Sequence, residues 1–256
     1  MAREEIILNE DNRLEYLERN YRDFSEGKDL ISFQVREGES DLYIKAEQGL
    51  SLCTVRQSLI KYRRQIENYI EKYPLFKSTL LPYLEDSEAP EIIRSMIKAG
   101  NISGVGPMAS VAGAIAEFVG RELLKYSSQI IIENGGDIFI KSDKIRRVSI
   151  FSGKSPFNQK IALEVESEKN YIGVCTSSGT VGPSLSYGKA DAVTIVSNSV
   201  VLADAVATAA GNMVNSIDEI EKALKFVQKI SGVNGAIIIK DDKIGLWGDI
   251  NLAVIN

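Results

Sequence analysis

Asp204 and Thr208 stand four residues apart in the run Ser199–Asn212, SVVLADAVATAAGN, whose other members are mostly Ala and Val. On a helix that spacing projects both side chains from one face. A carboxylate buried among alanines without a partner costs free energy, so something must compensate it. An oxygen-ligated cation would do so. One carboxylate, one hydroxyl and a backbone carbonyl form a thin, hard donor set, which suits Mg²⁺ better than Ca²⁺ because Mg²⁺ keeps waters and borrows phosphate oxygens. A hydrogen bond to a neighbouring loop is the plainer compensation.

Two further polar runs carry candidates. Asn134-Gly135-Gly136-Asp137 lies between the apolar runs IIIE and IFIK. Asn-Gly in that setting is an ordinary hairpin turn, yet consecutive glycines also let backbone N–H groups approach a ligand, with Asp137 at the strand mouth. Thr176-Ser177-Ser178-Gly179 follows a strand expected to end at Cys175. Its hydroxyls and glycine could cradle a phosphate or simply turn the chain and cap a helix. The run lacks the lysine of a P-loop, which argues against a nucleoside triphosphatase of that class.

The chain contains no histidine. Ser-His-Asp and Cys-His catalysis are therefore excluded, together with paired-histidine zinc sites and histidine acid/base chemistry. Any reaction must run on carboxylates, Lys, Ser, Thr, Tyr, Cys or a metal held by oxygen.

The elements that must position these residues can be read from periodicity and turn signals. Strands are expected at Leu30–Val35 and Asp41–Ala46, the second alternating like a half-buried strand. A long helix follows from Leu50 to Lys72, ended by Pro74, and another from Pro90 to a stop at Gly100. Gly104–Gly120 reads as a closely packed Gly/Ala helix. Strands follow at 129–133, 137–141, 146–151, 160–165 and 192–196, then helices at 200–214 and 217–230, then strands at 235–240, 243–247 and 251–254. Helices fall in blocks instead of alternating with strands, which points to an α+β fold. No linker composition divides residues 1–256, so a single domain is expected.

The chain has 256 residues, 44% hydrophobic and 25% charged, with net charge −5. That is the mix of a soluble globular protein and gives no whole-chain footprint for nucleic acid. The longest weakly polar run, Val105–Val119, is too short to span a bilayer, so no membrane partner is expected. Cys53 and Cys175 form neither a disulfide framework nor a zinc pattern and are expected to be buried thiols. The charged N-terminus has no signal-peptide core, which implies a cytoplasmic protein. A symmetric homodimer is the default expectation for any oligomer.

Four motifs in fixed order carry a resemblance: VGPMA-VAGAIAE (105–117), ENGGDI (133–138), TSSGT followed by SLS-GKADA (176–192), and ADAVAT (203–208). Together they resemble the ApbE family, whose members are flavin transferases moving FMN from FAD onto a protein threonine. They are closer to a smaller ApbE-like family of uncharacterised prokaryotic proteins. The resemblance implies an ApbE-like, T-fold-related α+β architecture of antiparallel sheets packed with helices. It implies a metal role, Mg²⁺, for Asp204 and Thr208, completed by a carbonyl of the Gly113–Ala116 segment such as that of Ala114. It places Asn134, Gly135, Gly136 and Thr176, Ser177, Ser178, Gly179 along a cleft for FAD or another phosphate-bearing nucleotide. Asp137 and Asp191 are then the candidate bases. The chain departs from the transferases at Glu117, where they carry a lysine, and the smaller family often has a histidine at Pro183. The alternative is a non-catalytic ligand-binding or assembly protein that keeps the fold alone.

Overall fold

The computed structural model describes residues 29–47, 49–180 and 187–255. An eight-stranded sheet forms its centre, in the spatial order β1 (Ile31–Glu37), β2 (Ser40–Ala46), β3 (Ile130–Asn134), β4 (Asp137–Lys141), β7 (Ile172–Ser177), β8 (Ala192–Ser197), β9 (Val233–Lys240) and β10 (Lys243–Gly248). Every neighbouring pair is antiparallel. Strands β5 (Arg146–Ser149) and β6 (Ile161–Val165) leave this sheet and join β11 (Asn251–Val254) in a second, three-stranded sheet.

Alternation of side chains sorts the two faces of the large sheet. Ile130, Ile132, Phe139, Cys175, Val193 and Ile195 pack in the same apolar cluster as the helices. Ile131, Ile140, Val174, Ala192 and Val196 pack with the small sheet instead. The helical layer comprises α1 (Leu52–Lys72), α2 (Leu75–Ser78), α3 (Glu91–Ser103), α4 (Val111–Leu123), α5 (Val200–Gly211) and α6 (Ile220–Val227). The fold is therefore α+β, with antiparallel sheets packed against helices.

Several boundaries differ from the sequence reading, each for a local reason. Helix α3 passes through Gly100, which is buried where a Cβ would stand 2.8 Å from the Val105 carbonyl oxygen. The helix stops at Gly104 instead, whose φ of 77° forms the left-handed cap. The expected helix over 104–120 is divided, because Pro107 opens a separate 3-10 turn (Pro107–Ser110) before α4 begins. Strand β7 runs to Ser177, since Thr176 and Ser177 pair with Thr194 and Val193. The last helical stretch reduces to a 3-10 turn (Ile217–Glu219), closed by a Ser216–Glu219 capping box, and the short α6. Strand β2 is interior, between β1 and β3, and is buried along most of its length, where the sequence suggested half-burial. Cys175 is buried as expected, but Cys53 is exposed on the first turn of α1.

Candidate functional site

Helices α4 and α5 cross in contact at Gly113. A Cβ there would stand 2.7 Å from the Val200 carbonyl oxygen and 2.8 Å from Asp204 Cβ, so only glycine admits this approach. The crossing lets each helix supply the other's N-terminal cap. Ser110, the local cap residue of α4, spends its hydroxyl on the Pro107 carbonyl. The Gly113 N–H, unpaired within the first turn, donates instead to Asp204 Oδ2 at 2.8 Å. In return, Glu117 of α4 accepts the Val201 N–H at 3.1 Å and the Ser199 hydroxyl at 3.0 Å on one oxygen. Its other oxygen accepts the Tyr171 hydroxyl at 3.1 Å. Glu117, the departure from the transferase pattern, is thus a buried helix cap.

The β3–β4 hairpin brings a second carboxylate to Asp204. Gly135 and Gly136 form its two-residue turn, with φ of 68° and 102°, the conformation that favours glycine at both positions. Asn134 and Asp137 pair across that turn. Asn134 Nδ2 donates to the Ala112 carbonyl at 3.0 Å and ties the turn to the start of α4. Asp137 lies opposite Cys175 in the ladder, on the helix face of the sheet, and is buried beside Asp204. Burial pushes its pKa well above the ordinary carboxylate range; the charge of Asp204 and, less strongly, that of Glu133 add to the rise. Hydrogen bonds from the Cys175 thiol and the Thr176 N–H oppose it. Burial raises Asp204 likewise, opposed by the Gly113 N–H. Among the described residues, neither carboxylate forms an ion pair with Lys or Arg.

Thr208 lies one turn beyond Asp204 on α5, half-buried, with Oγ1 3.5 Å from the Ala109 carbonyl oxygen. The backbone carbonyl within reach of Thr208 thus belongs to the 3-10 turn before α4. Ala114 is fully buried within α4, where helical carbonyls are taken by N–H groups four residues on. Nothing in sequence marks a backbone carbonyl, so Ala109 carried no signal. Cys175 did carry one, as a thiol two residues before the serines, but only strand pairing places it against Asp137.

The remaining candidates divide. Ser177 faces the end of α5, its Oγ 3.5 Å from where a Gly211 Cβ would stand. Thr176 points to the opposite face of the sheet, where its hydroxyl meets that of Thr194 at 2.8 Å; only its N–H serves Asp137. The Gly136 N–H already donates to Glu133 Oε1 at 2.9 Å, whereas the space above Gly135 is open. Ser178 Oγ accepts the Thr180 N–H, and the Gly179 N–H donates to the Ala190 carbonyl. Asp191 accepts the Thr180 hydroxyl at 3.1 Å and the Asp241 N–H at 2.6 Å, so it ties that loop to the β9–β10 turn. Pro183 lies outside the described residues. A polar depression at Ser142–Ile145 and Glu166–Glu168 brings none of the candidates together.

A sequence profile of the family described as AbpE bacteria matches residues 22–246. The chain belongs to the AbpE bacteria family. This AbpE bacteria member is 41% identical over 220 residues to the UPF0280 protein of Methanosarcina acetivorans, covering 85% of this chain and 86% of that one. It is 37% identical over 217 residues to the UPF0280 protein of Methanococcus aeolicus, covering 83% and 88%. Among solved structures, the flavin transferase ApbE from Vibrio cholerae superposes with a TM-score of 0.54 at 12% identity, over 87% of this chain and 97% of that one. The Pseudomonas stutzeri flavinyl transferase ApbE in its apo form gives 0.58 at 13% identity, over 90% and 94%. At such identities the likeness is one of fold.

Proposed function

We propose that the chain binds a flavin or nucleotide diphosphate together with Mg²⁺ at the Asp137–Asp204 pair, for metal-assisted phosphoryl or FMN transfer. The observation that carries this reading is the pair itself: two buried carboxylates, each raised in pKa, with neither ion-paired to a Lys or Arg among the described residues. Like charges so placed are relieved by a shared proton or by a cation. Two carboxylates fall short of an all-carboxylate cage, and no cluster of three or more His, Cys, Asp or Glu stands among the described residues. The other donors, Thr208 Oγ1 and the Ala109 carbonyl, are neutral oxygens. That donor set fits a hard ion that keeps waters and takes ligand phosphate oxygens. The fold likeness to flavin transferases supports the same ligand class.

When bound, Mg²⁺ would act as a Lewis acid on the ligand's diphosphate. Asp204 and Thr208 would hold it from one face of α5. Asp137, held beside Asp204 by the Cys175 thiol and the Thr176 N–H, would take the proton of an attacking hydroxyl. The half-buried Ser177 and Ser178 and the open space above Gly135 form the rim along which the ligand would enter. Asp191, with both oxygens committed, would position the Thr180 loop.

A non-catalytic binding role is the second reading. It is favoured by the cap that Asp204 already provides for α4 and by the absence of histidine. Calorimetry separates the readings, titrating metal-stripped protein with MgCl₂ or MnCl₂ and then with FAD. The transfer reading expects FAD binding that depends on the cation and is lost in Asp204→Asn, with slow FMN release that falls in Asp137→Asn. FAD binding without turnover supports the binding role. Failure to bind either cation or FAD at millimolar concentration sinks both.

A further inference from the structure

Among the described residues two aromatic side chains are more than half exposed, Tyr126 at 55% and Tyr187 at 60%. Tyr126 lies past the C-terminal end of α4, the end away from Gly113. Tyr187 is instead tied to the helix that carries Asp204. Its N–H donates to Asn212 Oδ1 at 2.9 Å. Asn212 closes α5 with a backbone that is still helical, at φ −64°. Asp204, Thr208 and Asn212 therefore follow one another at intervals of four residues along one side of α5.

The backbone on which Tyr187 stands is fixed by close packing. A Cβ on Gly188 would stand 1.8 Å from the Gly211 carbonyl oxygen, and a Cβ on Gly179 would stand 2.0 Å from the Gly188 carbonyl oxygen. Glycine thus lets three chain segments meet at the C-terminal end of α5. The Lys189 N–H donates to the Val214 carbonyl at 2.7 Å, and the Gly179 N–H to the Ala190 carbonyl at 2.9 Å. The Tyr187 ring itself packs on no other aromatic ring, and its hydroxyl makes no hydrogen bond, among the described residues. An exposed ring on a backbone already ordered binds a flat partner at little further cost in entropy.

Charge and distance select the part of the ligand that belongs there. The C-terminal end of α5 is the negative end of its dipole, which disfavours a phosphate. The phosphate belongs at the cation of the Asp137–Asp204 pair, so a neutral ring is left for the other end. From Asp204 to Asn212 the helix axis runs about 12 Å. A phosphate on that cation, a ribityl chain and a tricyclic flavin laid end to end cover this length. The more compact ribose of an adenine nucleotide leaves its ring short of it. We infer that Tyr187 is the platform on which the flavin ring stacks while the flavin phosphate is held at Asp204 and Thr208. The inference rests on the cation and phosphate reading of that pair, and Asn212 acts in it as a positioning residue.

Titration of metal-stripped protein, loaded with MnCl₂, with FMN and separately with ADP tests this. Flavin fluorescence reports the stacking and calorimetry the affinity. The wild type should quench FMN fluorescence on binding. Tyr187→Ala should raise the FMN dissociation constant about tenfold or more and leave that of ADP unchanged. Its melting temperature should match the wild type, since the side chain is exposed. Tyr187→Phe should keep the affinity for FMN, because a ring remains to stack, while relieving the quenching that the phenol causes. Asn212→Ala should weaken FMN as well, by less than Tyr187→Ala. Cation-dependent FMN binding that is equally tight in Tyr187→Ala, or a loss equal for FMN and ADP, would overturn the platform and leave the Asp137–Asp204 reading standing. Wild-type protein in which FMN binding is absent, or is the same with and without MnCl₂ and in Asp204→Asn, would remove that reading and the platform with it.

Discussion

The two ends of the α4–α5 crossing use the same device and differ in how completely it is satisfied. At one end the Glu117 carboxylate accepts three hydrogen bonds, from Tyr171, Ser199 and Val201, and is saturated. At the other, Asp204 accepts a hydrogen bond from Gly113 and stands beside a second buried acid, Asp137. A carboxylate with enough donors around it serves stability alone. Two adjacent buried carboxylates, with one donor on Asp204 and two on Asp137, keep more lone pairs than donors, and that is what a cation needs. Function is therefore expected where the helix cap is under-satisfied, and architecture where it is complete.

The sharpest way to break this comparison is to remove the crossing. Gly113→Val drives a side chain into the Val200 carbonyl and Asp204, and should cost about 3 kcal/mol or more in urea unfolding while disturbing both ends together. Next in size is the saturated end. Glu117→Ala leaves the Val201 N–H, the Ser199 hydroxyl and the Tyr171 hydroxyl without their acceptor, a loss of about 2–3 kcal/mol. Glu117→Gln keeps an acceptor oxygen and should recover a good part of it. Neither Glu117 variant should change Mn²⁺ affinity beyond its effect on folding.

The under-satisfied end should respond to pH with the opposite sign from an ordinary ion-paired acid. The folded pKa of Asp204 is raised to about 7, and that of Asp137 is raised too. The stability tied to these groups is fully present below the unfolded value of about 4 and is lost as pH rises through the folded value. Metal-free protein should therefore lose roughly 2–3 kcal/mol through Asp204 between pH 5 and pH 8. Asp137→Asn should flatten that slope, and a divalent cation should restore stability at pH 8 in the wild type but not in Asp204→Asn. Differential scanning calorimetry in the presence of a chelator reads the first effect, and added MnCl₂ the second. The smallest expected change is at Asp191, another buried acid, with two donors of its own. Asp191→Asn should cost about 1 kcal/mol and leave cation affinity as it was.

Much of this was legible in the residues. Asp204 and Thr208 announced themselves by their spacing on an apolar helix. Asn134–Asp137 gave the hairpin, and the same two-residue turn leaves Asp137 paired with Asn134 at the strand mouth. Block-wise helices and strands gave the α+β class. Other features had no local signal. Thr176 and Ser177 looked equivalent in the sequence, but strand continuation past Cys175 sends them to opposite faces of the sheet. Asp137 and Asp191 looked like alternatives, yet only Asp137 stands beside Asp204, while Asp191 is held by Thr180 and the β9–β10 turn.

The sequence by itself determined which groups are available. The absence of histidine leaves carboxylates, Lys, Ser, Thr, Tyr, Cys or a metal held by oxygen, and helical periodicity aligns Asp204 with Thr208. Only the tertiary structure decided what each carboxylate is for. Residues 113, 117, 137 and 204 are dispersed along the chain, and a carboxylate's role depends on how many donors the packed neighbours offer it. Glu117 and Asp204 are both buried acids in Ala-rich helices. Packing gives Glu117 three partners, from Tyr171, Ser199 and Val201, while the β3–β4 hairpin brings Asp204 a second negative charge.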